Sequence, residues 1–132
     1  MLLELPSNQK LILNVAKWAR KTRGAACGGS MLYNSRRNMC CLGQFCSQMG
    51  ASKKEMKSIS SPHELEYEQV ELMSEHGTVT QFAIDAMNIN DNTETDDIAK
   101  ISKLKALCRQ HCVELVIKNI RKAIKYKNHE NY

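Results

Sequence analysis

A chain of 132 residues with 42% apolar side chains is long enough for one buried core and too short for two ordinary domains, so a single domain over 1–132 is expected. No stretch approaches the ~18 apolar residues of a membrane span, and the opening Met1-Leu-Leu-Glu-Leu-Pro6 lacks the charged-then-apolar order of a secretory signal, so a cytoplasmic protein without membrane contact is expected. The net charge of +5 divides into three blocks: nine bases and no acid over 5–54, eleven acids against Lys57 over 55–97, and nine bases against Glu114 and Glu130 over 98–132.

Taken along the chain, 10–19 carries apolar residues on both parities and is read as a strand of mixed exposure. The stretch Lys21-Thr-Arg-Gly-Ala-Ala-Cys-Gly-Gly-Ser30 has the small residues of a mobile connection, after which Met31-Leu32-Tyr33 offers a second strand. Asn34-Ser35-Arg36-Arg37-Asn38 reads as a turn with two exposed arginines, leading back through a strand at Met39-Cys40-Cys41. From Leu42 the residues Phe45, Cys46 and Met49 recur at helical spacing, and Gly50 suits a left-handed helix end.

In the acidic middle, Ser61-Pro62-His63-Glu64 has the order of a helix start, with Leu65, Gln69, Val70 and Met73 on one face and His76-Gly77 as its end. Thr78 and Gln81 repeat the cap spacing before Phe82, Ala83, Ala86 and Met87. The run 88–97 is too polar for core, and its acids precede a helix whose apolar stripe is Ile98, Ile101, Leu104, Cys108 and Cys112. Val113 to Ile117 is β-branched and read as a late strand, a continued helix being the other option, and 118–132 as a basic, partly frayed tail. The expected fold is α+β: a small antiparallel sheet of N-terminal strands plus the late strand, packed against three to four helices.

The six cysteines, expected to be reduced in a cytosol, admit three readings: core, metal ligands or chemistry. Zinc would accept Cys40, Cys46, Cys108 and Cys112, with Cys27, Cys41 and His111 as further donors, but these do not form ligand pairs across a turn, and buried structural thiols explain them better. No cofactor is therefore expected. The four histidines stand in no local motif with a cysteine, the glycine stretch lacks the Lys-Ser/Thr of a phosphate loop, and 91–97 lacks the glycine and glutamate of a calcium loop, so an enzyme is not expected.

With Lys17-Trp18, Leu32-Tyr33 and the Met39-Cys-Cys-Leu-Gly43 run in this order, the N-terminal half resembles a group of small, functionally unassigned proteins of tailed phages and prophages. The likeness extends loosely to Asn88-Ile-Asn-Asp91, the late helix and the last strand; the chain departs from it in adding Cys46 and in placing Cys112 where such proteins carry a glycine. The resemblance implies a mobile-element origin, a location in the host cytoplasm and an α+β fold, and no particular reaction. Two functions are then expected to compete. One is an accessory protein that binds a host or phage protein, for instance to block a defence or gene-expression machine, with the glycine loop and Arg36-Arg37 as contacts. The other is nucleic-acid binding through Lys17, Arg20, Lys21, Arg23, Arg36 and Arg37, with Trp18 or Tyr33 stacking on bases.

Overall fold

The computed structural model describes residues 2–22, 25–27, 31–57, 59–67 and 69–124. Its strands are β1 (Leu2–Leu3), β2 (Lys10–Asn14), β3 (Arg20–Thr22), β4 (Ala25–Cys27), β5 (Gln69–Val70), β6 (Ser74–Glu75), β7 (Thr78–Val79) and β8 (Glu114–Lys118). The helices are α1 (Cys41–Gln48), the single turn α2 (Lys53–Met56), α3 (Gln81–Asp91) and α4 (Asp97–Gln110), with 3-10 turns at Val15–Lys17, Pro62–Glu64 and Ile120–Lys122. The fold is α+β, as expected. No described helix is long and apolar enough to cross a membrane.

The late strand joins the first long one, but in parallel and not in the antiparallel sheet expected: β8 pairs with β2, Leu11 opposite Leu115 and Leu13 opposite Ile117. A parallel pair needs a crossover, which the chain between β2 and β8 supplies, its last element α4 running back along β8 before a tight reversal at Cys112 and Val113. Cys112 stands at φ +60°, the left-handed conformation that glycine adopts without cost, which explains why a glycine would suit this position. The other strands form a four-stranded sheet in the order β1-β5-β6-β7 and the antiparallel hairpin β3-β4.

One apolar core joins these parts. Leu11, Leu13 and Val15 from the β2 segment meet Leu42, Phe45 and Cys46 from α1, Phe82 and Ala86 from α3, and Leu104 and Cys108 from α4, all buried. Helix α1 is the central element. Its first turn is capped by the Cys40 sulfur, which accepts from the Gly43 N–H (3.4 Å), and its last turn ends at Gly50 with φ +117°. Its Gln44 and Gln48, one turn apart, close the free edge of β2 as another strand would: Gln48 accepts from Ile12 N–H (2.6 Å) and donates to Ile12 O (2.7 Å), and Gln44 does the same at Asn14 (2.7 and 3.1 Å).

Several local expectations change. The strand expected at 10–19 stops at Asn14, whose side chain caps the Val15–Lys17 turn by accepting from Ala16 N–H. Met31-Leu32-Tyr33 is not a regular strand: its one β-bridge among the described residues is the isolated Tyr33–Lys57 contact. Nor do Cys40 and Cys41 alternate along a strand: Cys40 is the cap, Cys41 the first helical residue, and both are fully buried. The helix expected after Ser61 is only a 3-10 turn, in which Glu64 accepts from Ser61 N–H (3.4 Å) while the Ser61 hydroxyl is bonded to His63 Nδ1 (2.8 Å), and 69–79 is sheet instead. A positive φ at Leu72, His76 and Gly77 reverses the chain there, and the β-branched Val70 and Val79 are placed in strands. Helix α3 starts two residues later than expected, at Thr80, whose hydroxyl accepts from Ala83 N–H.

The buried stripe of α4 is also rotated from the expected one. It comprises Asp97, Lys100, Ile101, Leu104, Leu107 and Cys108, while Ile98 and Cys112 are exposed. The polar run 88–97 is not all surface, because Asn90 and Asp97 are as inaccessible as the core. Asn90 uses its whole amide: Oδ1 accepts from Trp18 Nε1 (2.6 Å) and Cys41 N–H (3.1 Å), while Nδ2 donates to Ala19 O and Asp91 Oδ1 (3.0 Å each). Lys100 is sealed beneath the α3–α4 connection, donating to Ile89 O (3.1 Å), Asn92 O and Thr95 Oγ1 (2.9 Å). Burial pushes its pKa down, against the pull of Asp97 and Asp91.

Candidate functional site

The residues expected to form a basic contact face separate into two groups. Trp18 and Arg20 belong to the interior and cannot meet nucleic acid: Trp18 donates to Asn90, and Arg20 lies over its ring with the guanidinium carbon 4.9 Å from the ring centroid. The Arg20 fork is bidentate on Asp97, Nε to Oδ1 at 3.1 Å and Nη2 to Oδ2 at 2.5 Å, with Nη1 donating to Trp18 O (2.8 Å). This ion pair ties the basic N-terminal block to the acidic middle. Lys17, Lys21, Arg36 and Arg37 are exposed and Tyr33 is half-buried, whereas Arg23, the side chain of Cys27 and Gly24, Gly28 and Gly29 of the expected contact loop lie outside the described residues.

Arg36 and Arg37 are carried on a turn built from asparagine. The Asn34 side-chain oxygen accepts from Arg36 N–H (2.9 Å) and Asn38 N–H (3.0 Å), its backbone oxygen accepts from Arg37 N–H (3.0 Å), and its own N–H donates to Asn38 O (2.9 Å). Asn34 is nearly buried, and its Nδ2 has no partner among the described residues. Arg37 sits at φ +63°, a conformation that this bonding holds. The foot of the turn is anchored in the fold, since Cys40 N–H donates to Met31 O and Leu32 N–H to Ile59 O. Lys17 lies beside that foot through its backbone bond with Met39, and Lys53 stands over the Tyr33 ring at 5.9 Å from its centroid. Two exposed arginines on a turn with a hydrogen-bonded backbone, flanked by Lys17 and Lys53, form a cationic projection.

The thiols make a contrasting set. Cys40, Cys41, Cys46 and Cys108 are buried, and burial pushes Cys40 up to about 12, Cys108 up to about 11, and Cys41 and Cys46 well above the ordinary value of 9.0. Cys46 Sγ touches Met73 Sδ at 3.5 Å, and Cys41 Sγ donates to Ala86 O at 3.7 Å. Among the described residues no three His, Cys, Asp or Glu side chains are gathered as metal ligands, and of the suggested zinc set Cys40, Cys46, Cys108 and Cys112, the last is exposed while the others are core. In a Cys27→Ser variant at about pH 8, Ellman's reagent should therefore label Cys112 at once and the other four only on unfolding.

These thiols also set an alkaline limit on stability. Their folded pKa values lie above the unfolded value of 9.0, so the contribution is whole below pH 9 and is lost as pH rises towards 12. The loss amounts to up to ~1.4 kcal/mol per pH unit for each buried thiol, and a series of urea melts from about pH 8 to 11 should show it as a falling midpoint.

Sequence reasoning missed Asn90, Asp97, Lys100, Gln44 and Gln48, which organise the scaffold. The signal in the sequence was indirect: the Asn-Ile-Asn-Asp run and the Gln44/Gln48 spacing of one helical turn. Compared with known protein families, curated proteins and solved structures, the chain matches none of them.

Proposed function

We propose that this chain is a small accessory protein of phage type that works in the host cytoplasm by binding a host or phage protein with an acidic surface. The observation that carries the reading is the Arg36–Arg37 tip, fixed by Asn34 and rooted in the core through Leu32 and Cys40. A turn whose backbone is already held loses little backbone freedom on docking, and its arginines can pair bidentately with carboxylates, which makes them strong anchors. Blocking a defence or gene-expression machine is one use of such an anchor. No catalytic role is assigned.

Replacing Arg36 and Arg37 together by alanine should weaken binding to the partner by at least about 30-fold, the effect of losing one hot-spot arginine, with the melting temperature unchanged because both side chains are exposed. Calorimetric titration of the two proteins measures it. The second reading, a nucleic-acid contact, retains Lys17, Lys21, Arg36 and Arg37 and loses Trp18 and Arg20 to the interior. A salt titration with a short oligonucleotide separates the two. Affinity that falls steeply with log salt, as the release of several counterions requires, would favour the second reading, and no affinity at low salt would remove it.

A further inference from the structure

Among the described residues, β8 is paired on one edge only. Its Glu114 N–H donates to Gln9 O (3.1 Å), and the parallel register with β2 then assigns the backbone groups of Glu114, Val116 and Lys118 to that ladder. The N–H and C=O groups of Leu115 and Ile117 point to the opposite edge, where they meet no partner among the described residues. The contrast with β2 is informative, because its outer edge is closed by Gln44 and Gln48. Beside the open edge lies a groove of about 410 Å³ between the end of α4 and the start of β8, lined by Lys105, Arg109, Cys112, Val113, Glu114 and Leu115. Nothing in β8 blunts the edge: it holds no proline, and its charges stand only at its ends.

The strand reads Glu114-Leu-Val-Ile-Lys118, an acid and a base bracketing three apolar residues. Laid antiparallel on a second copy about Val116, it is self-complementary. Leu115 and Ile117 exchange backbone bonds with Ile117 and Leu115 of the other copy, in two reciprocal pairs, and the two-fold axis passes between the Val116 residues. Glu114 then stands directly opposite Lys118 of the other copy, on the solvent face that both already occupy. A one-residue slip would turn the apolar side chains to the wrong face. The tail 125–132 is a poorer occupant, because Lys125 and Lys127 against Glu130 would add positive charge beside Lys105 and Arg109.

We propose that the open edge of β8 is the contact strand of a two-fold dimer of this chain, in which the β2–β8 pairs of two copies join into one four-stranded sheet. The contact is small, so association is expected at high micromolar concentration. Sedimentation velocity of the full chain from about 10 μM to 1 mM should show a monomer–dimer equilibrium, and amide exchange at Leu115 and Ile117 should slow as concentration rises. E114K or K118E alone replaces two attractive cross-strand pairs by repulsive ones and should weaken the dimer about tenfold, while the double exchange E114K/K118E restores it. Ile117→Pro, which removes an outward N–H and no β2 bond, should abolish it. A monomer throughout the range, protection that does not depend on concentration (the mark of the chain's own tail), or a dimer indifferent to the charge exchange would each overturn the proposal.

Discussion

Replacing Asp97 by alanine is expected to destabilise the protein by about 3–5 kcal/mol, a large share of the total stability of a domain this size. The carboxylate is fully buried and receives the Arg20 fork together with Ile124 N–H (2.5 Å), and Asp97 N–H in turn donates to Ile124 O. Its loss leaves the Arg20 guanidinium, itself 5% exposed, with a charge whose partners among the described residues are Trp18 O and the Trp18 ring. An uncompensated buried charge costs far more than the net worth of the pair. The loss also frees the first turn of α4 from the N-terminal segment. Urea unfolding measures the effect, and a paired Arg20→Met/Asp97→Leu variant, which removes both charges, should recover much of the loss because it leaves no unpaired buried charge, although Ile124 N–H and Trp18 O lose their side-chain partners.

Gly43→Ala is the second large effect. In an ordinary helix this change stabilises by about 1 kcal/mol, since alanine is the better helix former. Here a Cβ would lie 1.9 Å from Leu32 O, 2.7 Å from Leu32 C and 2.8 Å from Leu32 Cα. These are backbone atoms of a fully buried residue held to Ile59 by its own N–H, so they cannot swing aside as a flexible side chain would. The predicted result is a loss of about 3 kcal/mol or more, opposite in sign to propensity. A thermal melt decides it, and a gain in stability would show that Leu32 does not pass against α1 as described.

That contact gives the Met39-Cys-Cys-Leu-Gly43 run a physical meaning. Cys40 caps the helix with sulfur, Cys41 N–H is taken by Asn90, Leu42 fills the core, and Gly43 lets the Leu32 segment cross at van der Waals distance. Capping accounts for Cys40 and packing for Leu42 and Gly43.

Features set by local rules were legible in the sequence. The helix containing Phe45 and Cys46, its left-handed end at Gly50, the helix beginning near Ile98, the strand after Cys112 and the turn bearing Arg36 and Arg37 all follow from spacing and turn chemistry. What local rules could not give was anything decided by a partner far along the chain. Trp18 and Arg20 look like exposed stacking and phosphate groups until Asn90 and Asp97, over seventy residues away, take them inside. The segment after Ser61 has helical spacing, yet tertiary pairing with β1 and the reversal at Leu72 make it sheet. Of the candidate contact residues, Arg36 and Arg37 are exposed as expected because their turn is local, and those in the basic run 17–23 divide into exposed and buried according to long-range bonds no period reveals.

The claim that this protein acts by docking its Arg36–Arg37 tip on another protein is tested most directly by affinity capture from nuclease-treated host lysate. The full chain and its R36E/R37E variant would be compared side by side. The account predicts one stoichiometric protein partner, retained by the wild type after nuclease treatment and lost by the variant while its fold is unchanged. A partner that disappears on nuclease treatment, or one that the variant captures equally well, would contradict it.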